Sequence, residues 1–368
     1  MISSGGLVRL LKKNNINFFT GVPDSVLKYL TPYFEKNKKN HVIAVNEGNA
    51  VAIATGYHLS TGKIACVYLQ NSGLGNAVNP LSSVTHSKVY SVPMLLLIGW
   101  RGSPGSNDEP QHQVKGQITK ELLTLLNIEY CTIRTEKDFK KLNSIIKFSK
   151  KLNKPVACLI ENKILKEEIK KRPKKTEKTF LKRINIIEKI INGIKNKTNI
   201  VATTGFTSRE LMELQKNKKN SKYNSFYMIG GMGHSAAVSL GVSIGSKKNI
   251  ICFDGDGSLL MHLGSMASIG FFGGKNFKHI LFNNNSHESV GGQTTNARNI
   301  NFEKISKGLG YKKYFLINDE KKIYQKIKIF LKSKGPTFLE IMIDQGSVKD
   351  LMRPKNLIEI KKKFMKKI

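Results

Sequence analysis

Short apolar runs that read as strands alternate with longer stretches of helical spacing along the whole chain, and this alternation constrains the fold more than any other feature. It predicts an α/β protein with parallel sheets, because parallel neighbours need a crossover and the crossover is usually a helix. The expected strands of the first half are 16–21, 41–45, 64–70, 93–99 and 155–160, with helices such as 49–60 and 137–152 between them. Those of the second half are 199–203, 226–229, 250–253, 278–282 and 337–343.

At 368 residues the chain is long enough for two domains. The charged, Pro-containing stretch 163–182 is the natural joint, giving domains at 1–165 and 191–368 with 166–190 as linker. The halves end alike: Pro155 and Pro336 each follow a Lys-rich helical stretch and open a buried-looking strand. That similarity hints that the halves are two versions of one α/β unit.

The opening residues lack a basic segment followed by an apolar one, so no signal peptide is expected, and the longest apolar run, near 92–100, is too short to span a membrane. Cys66, Cys131, Cys158 and Cys252 form no CxxC pair and read as reduced thiols of a cytoplasmic protein. The net charge of +35 invites a nucleic-acid reading. The charge is mostly Lys, spread along the chain, with no zinc-finger, helix-turn-helix or aromatic RNA-binding pattern beside it. Solvated Lys-rich helix faces account for it, and a basic nucleic-acid-binding protein is the disfavoured alternative.

The most informative segment is 250–258, where an apolar strand runs into Gly255-Asp256-Gly257-Ser258. The glycines permit a tight turn and close approach to a ligand. Asp256 falls at the C-terminal end of a strand, where open α/β sheets bind ligands. Ser258 is the expected N-cap of the next helix, whose free N–H groups suit an anion. A second strand ends in Asn283-Asn284-Asn285. The interval between Asp256 and Asn284 accommodates one crossover helix and a return strand, so two strand ends together offer an oxygen-rich set suited to Mg²⁺ beside a diphosphate.

This pattern resembles the cofactor motif of the thiamine-diphosphate (ThDP)-dependent decarboxylase superfamily. The resemblance implies that Asp256, Asn284 and the main-chain carbonyl of Ser286 ligate Mg²⁺. It implies too that Gly231, Met232, Gly255, Gly257 and Ser258 cradle the cofactor, with Met232 propping it in a bent form. Asn284 is taken as the motif's second Asn, in a run that continues to Asn285. The partner module is expected around Val45-Asn46-Glu47-Gly48, where a strand gives way to a helix of small residues. Glu47 there is the implied acid. Its carboxyl, raised in pKa by an apolar site, shares a proton with an aminopyrimidine nitrogen so that the thiazolium carbon is deprotonated and attacks a keto group.

The absence of room for a middle domain resembles the compact two-domain phosphonopyruvate and sulfopyruvate decarboxylases. The matching stretches are 21–27, 70–76, 99–102, 108–113, 203–210 and 287–293, with Thr294-Thr295 where the family often has Pro-Thr. By that resemblance Asp24 and His112 carry proton transfers. Asn71, Arg101, Lys115, Ser208, Arg209 and His287 are the candidates for contact with an anionic 2-oxo acid. An oligomer, at least a dimer, is implied, with the active site built between subunits. The expected reaction is decarboxylation of 3-phosphonopyruvate to phosphonoacetaldehyde and CO₂ in phosphonate biosynthesis. Sulfopyruvate decarboxylase is the alternative, often split into two subunits, and a carboligase on ordinary pyruvate is a third.

Overall fold

The computed structural model describes residues 1–36, 38–169, 181–216 and 222–368. It divides into two compact units, Met1–Pro173 and Lys174–Ile368. Residues 170–180, the middle of the expected linker, lie outside the described residues.

Unit 1 carries six parallel strands: β1 (Phe19–Gly21), β2 (His41–Ile43), β3 (Ala65–Gln70), β4 (Met94–Trp100), β5 (Glu129–Ile133) and β6 (Val156–Glu161). Their order across the sheet is β2-β1-β3-β4-β6-β5. Unit 2 carries β7 (Thr198–Ala202), β8 (Tyr223–Tyr227), β9 (Asn249–Gly255), β10 (Phe277–Asn283), β11 (Lys313–Ile317) and β12 (Thr337–Met342). Their order is β8-β7-β9-β10-β12-β11, again all parallel. Numbered within each unit, both sheets run 2-1-3-4-6-5. The likeness of the two half-ends is therefore structural: β6 and β12 hold the same place in the two sheets.

Both faces of each sheet are covered, so the central strands are buried along most of their length rather than alternating, and those of unit 1 are apolar almost throughout. In unit 1, Cys66, Tyr68, Leu95, Leu97, Cys158 and Ile160 feed one core, while Val67, Leu69, Leu96, Ile98, Ala157 and Leu159 feed the other. Each Val, Leu or Ile among them contributes about 1.5–3 kcal/mol on burial. Unit 2 repeats this with Ile251, Phe253, Ile280, Phe282, Leu339 and Ile341 on one face.

Two of the twelve strands of the main sheets were not among those expected. Both β5 and β11 are edge strands, begin with a charged residue, and bury only their last residue. β5 has its apolar residues broken by Thr132, and β11 carries only the short run Tyr314–Ile317 behind a lysine, less than the central strands give. A helix, Arg183–Gly193, also occupies the far part of the expected linker, and its Ile186, Ile187 and Ile190 belong to the core of unit 2. At the near end Leu165–Lys166 pairs with Ile2–Ser3. All four cysteines are free thiols, with Cys131 half-buried and the others buried.

The strands of unit 1 approach closely where β1 meets β3. A Cβ at Gly21 would lie 1.9 Å from the Tyr68 carbonyl oxygen, a backbone atom that has no rotamer to escape into. Gly21→Ala is therefore expected to cost about 1–3 kcal/mol, as overpacking does, read as a lower urea midpoint at unchanged slope. An unchanged midpoint would show that the β1–β3 spacing adapts freely.

Candidate active site

In unit 1 the candidate side chains collect at the C-terminal ends of the strands. Asp24 follows β1, Glu47 follows β2, Asn71 follows β3, and Arg101 and His112 follow β4. Glu47 is the first residue of α1 (Glu47–Thr61), and Asn46 caps that helix by accepting the Asn49 N–H at 2.9 Å. The small residues Ala50, Val51 and Ala54 then let the helix lie flat in the core.

The Glu47 carboxyl is buried and turned inward. Its Oε2 accepts a hydrogen bond from Asn76 Nδ2 at 2.7 Å, from α2 (Leu74–Ser83). Its Oε1 lies where a side chain at Gly73 would begin, 2.0 Å from an ideal Cβ there. Burial raises the Glu47 pKa, against the opposing effects of the Asn76 amide and the Lys115 charge. A buried carboxyl biased towards its protonated form is what proton sharing with a ring nitrogen requires.

Asp24 is also sealed. One oxygen accepts the N–H groups of Val26 and Leu27, and the other accepts Gln70 Nε2 at 2.6 Å. Gly99 must be glycine for this to fit, since a Cβ would sit 1.9 Å from Asp24 Oδ2. Burial raises the Asp24 pKa in spite of these donors. His112 lies on α3 (Pro110–Leu125). Its Nδ1 is buried without a hydrogen-bond partner, and burial together with the Arg101 charge lowers its pKa to about 4, so the ring is neutral at pH 7.

The substrate candidates of unit 1 are largely engaged. Arg101 pairs with Asp108 through two nitrogens. Asn71 bridges strand ends, accepting the Arg101 N–H and donating to the Arg101 carbonyl. Lys115 reaches the Ser72 carbonyl at 3.4 Å and has no ion-pair partner among the described residues.

In unit 2, Gly231 and Gly233 adopt positive φ (61° and 92°), which curls the chain around Met232 after β8. Gly233 N–H donates to Ser258 Oγ at 3.1 Å, and Thr203 Oγ1 is 2.9 Å from the same hydroxyl. Ser258 is thus not an N-cap. The helix α4 (Asp256–Met261) begins two residues earlier, behind Gly255, and Ser258 instead ties together the loops after β7, β8 and β9. The Asp-Gly pair continues straight from strand into helix, so no extended residue is left at position 258 to act as a cap. A Cβ at Gly255 would meet open space, whereas one at Gly257 would meet the ring of buried His287. Burial lowers the His287 pKa to about 4.

Asp256 is buried, and its Oδ2 accepts the Thr295 hydroxyl at 2.5 Å. Among the described residues it has no ion-pair partner, and burial raises its pKa to about 6 even though the Ser286 N–H also bonds to it. The same N–H reaches Asn284 Oδ1 at 3.0 Å, so Ser286 draws Asp256 and Asn284 together. Asn285, at φ 54°, makes the turn between Asn284 and Ser286. A buried carboxylate without a counter-charge, a side-chain amide oxygen and a main-chain carbonyl form a hard-oxygen set that fits Mg²⁺. Ser208 stands apart: its hydroxyl donates to the carbonyls of Ala202 and Thr203 and is buried. Arg209 lies over the Phe206 ring at 4.5 Å.

Sequence reasoning missed Gly73, Asn76, Thr203 and Thr295. Gly73 and Asn76 lie inside a quoted matching stretch and Thr203 opens another, but nothing in their residue type singled them out.

Residues 4–122 match the family model described as the N-terminal thiamine pyrophosphate binding domain of thiamine pyrophosphate enzymes, and residues 203–341 match the C-terminal one. The chain is 31% identical to phosphonopyruvate decarboxylase of Streptomyces viridochromogenes, covering 96% of this chain and 92% of that one. It is 29% identical to the Streptomyces hygroscopicus enzyme of the same name, over 96% and 91%. With sulfopyruvate decarboxylase of Methanosarcina acetivorans it shares 25% over 97% and 95%. Two thiamine pyrophosphate domains in succession with no middle domain, and a relative aligned over nearly its full length, place the chain among the thiamine-diphosphate-dependent decarboxylases: it belongs to the phosphonopyruvate decarboxylase family and is a carboxy-lyase.

Proposed function

We propose that the chain decarboxylates 3-phosphonopyruvate to phosphonoacetaldehyde and CO₂, using ThDP and Mg²⁺, in phosphonate biosynthesis. The observation that carries the chemistry is the sealed Glu47 carboxyl with its raised pKa. The substrate reading is supported by higher identity to the two phosphonopyruvate decarboxylases than to sulfopyruvate decarboxylase at similar coverage.

In this reading Asp256, Asn284 and the Ser286 carbonyl hold Mg²⁺, and the turn Gly231–Gly233 with Gly255–Ser258 receives the cofactor. ThDP, when bound, supplies the electron sink that lets CO₂ leave. Glu47 holds the proton shared with the cofactor's aminopyrimidine nitrogen. Loss of CO₂ from a 2-oxo acid to give an aldehyde takes up one proton at the carbon that bore the carboxylate. Asp24 is suited to deliver it, because burial favours its protonated form. Neutral His112 is suited to relay a proton through the ring nitrogen that has no partner. Lys115 in unit 1 and Arg209 in unit 2 are the basic side chains proposed as candidates for the second anion of the substrate, while Arg101, held by Asp108, shapes the loop after β4. His287, packed on Gly257, keeps the metal loop in register. We extend the reading to a homo-oligomer of at least two chains.

The substrate is tested by CO₂ release from purified protein with ThDP and Mg²⁺, offering phosphonopyruvate, sulfopyruvate and pyruvate in parallel. Highest kcat/KM for phosphonopyruvate is expected; a preference for sulfopyruvate would keep the chemistry and overturn the substrate. The metal site is tested by Asp256→Ala, which should weaken Mg²⁺-dependent ThDP binding by at least about 10–100-fold, the loss typical even of groups one step further from a metal. Calorimetric titration showing wild-type affinity would place the metal elsewhere.

A further inference from the structure

Glu288 belongs to the segment 287–293 but has no part in the chemistry set out above. It opens a short 3₁₀ helix (Glu288–Val290), and its carboxylate is held from three sides. Its Oε2 accepts Arg183 Nη1 at 3.2 Å and Asn284 Nδ2 at 3.1 Å, and its Oε1 accepts the Gly346 N–H. Arg183 is fixed in turn. Its side chain is 6% exposed, and its Nε donates to buried Glu210 at 2.9 Å.

An asparagine side chain has nearly the same shape either way round, but only one orientation presents its oxygen to a cation; the other presents two N–H donors. An ionised carboxylate only accepts hydrogen bonds. Glu288 therefore demands the NH₂ end of Asn284, and the Ser286 N–H demands the oxygen end. The two demands agree, and they leave the oxygen on the side of Asp256, whose carboxylate is bonded by the same Ser286 N–H.

We propose that Glu288, pinned by Arg183, is a positioning residue that orients the Asn284 amide so that its oxygen faces the metal. This rests on the reading of Asn284 as a metal ligand. The mechanism is that of an outer partner that fixes a ligand's orientation, where loss commonly costs 10–100-fold in metal affinity. Glutamine at 288 matches the shape but can turn its own NH₂ towards Asn284, and the preference is lost.

The test is calorimetric titration of ThDP into the full-length protein at a series of Mg²⁺ concentrations. Glu288→Gln is expected to raise the Mg²⁺ needed for half-maximal binding by about 10–100-fold. The same substitution is then made in an Asn284→Asp chain, whose carboxylate offers an oxygen whichever way it turns. There the added effect should be within about threefold, because the two positions are coupled. An equal loss in both backgrounds would assign Glu288 a merely structural role, and no loss in the first would remove the proposal outright. Asn284→Ala serves as the reference. If it leaves the Mg²⁺ requirement at the wild-type value, the metal reading fails; if it raises the requirement while Glu288→Gln does not, only the positioning inference fails.

Discussion

The removal of one carboxyl from water, that of Glu47, is the constraint on which the rest of the site depends. Burying an acid favours its neutral form, and only specific partners make the burial tolerable. Here the partner is the Asn76 amide, and the space exists because residue 73 has no side chain. The strand-to-helix junction at Asn46 and Glu47 aims the carboxyl inward, and the cap at Asn46 fixes where that helix starts. A carboxyl of this kind gives a proton up to a nearby base and takes it back, which a solvated glutamate at pH 7 does not.

The two units solve the same geometric problem with the same sheet. In both, the strand order reverses beside the first strand, and the loops after the first and third strands meet there. Open parallel sheets bind ligands at that kind of place. In unit 1 the meeting is Asp24 with Gln70, a side chain bridging the β1 and β3 ends. In unit 2 it is Thr203 with Ser258, doing the same for β7 and β9. The second strand is followed by Glu47 in one unit and by the Gly231–Gly233 turn in the other. The fourth is followed by His112 and by Asn284. Equivalent positions thus carry ionisable side chains in unit 1 and a glycine turn and an amide in unit 2. In the proposed reading, one scaffold serves proton chemistry in the first and anion and metal binding in the second.

The central strands and the principal acids were legible because their signals are local. A strand buried on both faces is mostly an apolar run, and Asp256 follows such a run in β9; Glu47 follows the half-exposed edge strand β2, and its signal is the helix of small residues that it opens. The edge strands β5 and β11 were not expected: each buries only its last residue, β5 is mixed in character, and β11 offers only the short run Tyr314–Ile317 behind Lys313. Ser258 was misread as a cap because an N-cap and an inter-loop hydroxyl use the same residue type, and only the partners Thr203 and Gly233, 55 and 25 residues away, separate the two. Ser208, a substrate candidate by resemblance, donates its hydroxyl to the carbonyls of Ala202 and Thr203. The duplication of the sheet was only hinted at by Pro155 and Pro336, because register and strand order leave almost no trace in residue identity.

The account's central claim is that Glu47 activates the bound cofactor. The direct measurement is the rate at which the thiazolium carbon of protein-bound ThDP exchanges its proton for deuterium, followed by NMR after acid quench, in the wild type and in Glu47→Gln. The account predicts that the variant still binds ThDP and Mg²⁺ but exchanges about 10²–10⁴-fold more slowly, the range that a positioned acid–base group supplies. Equal exchange rates in the two proteins, with the cofactor bound in both, would contradict it.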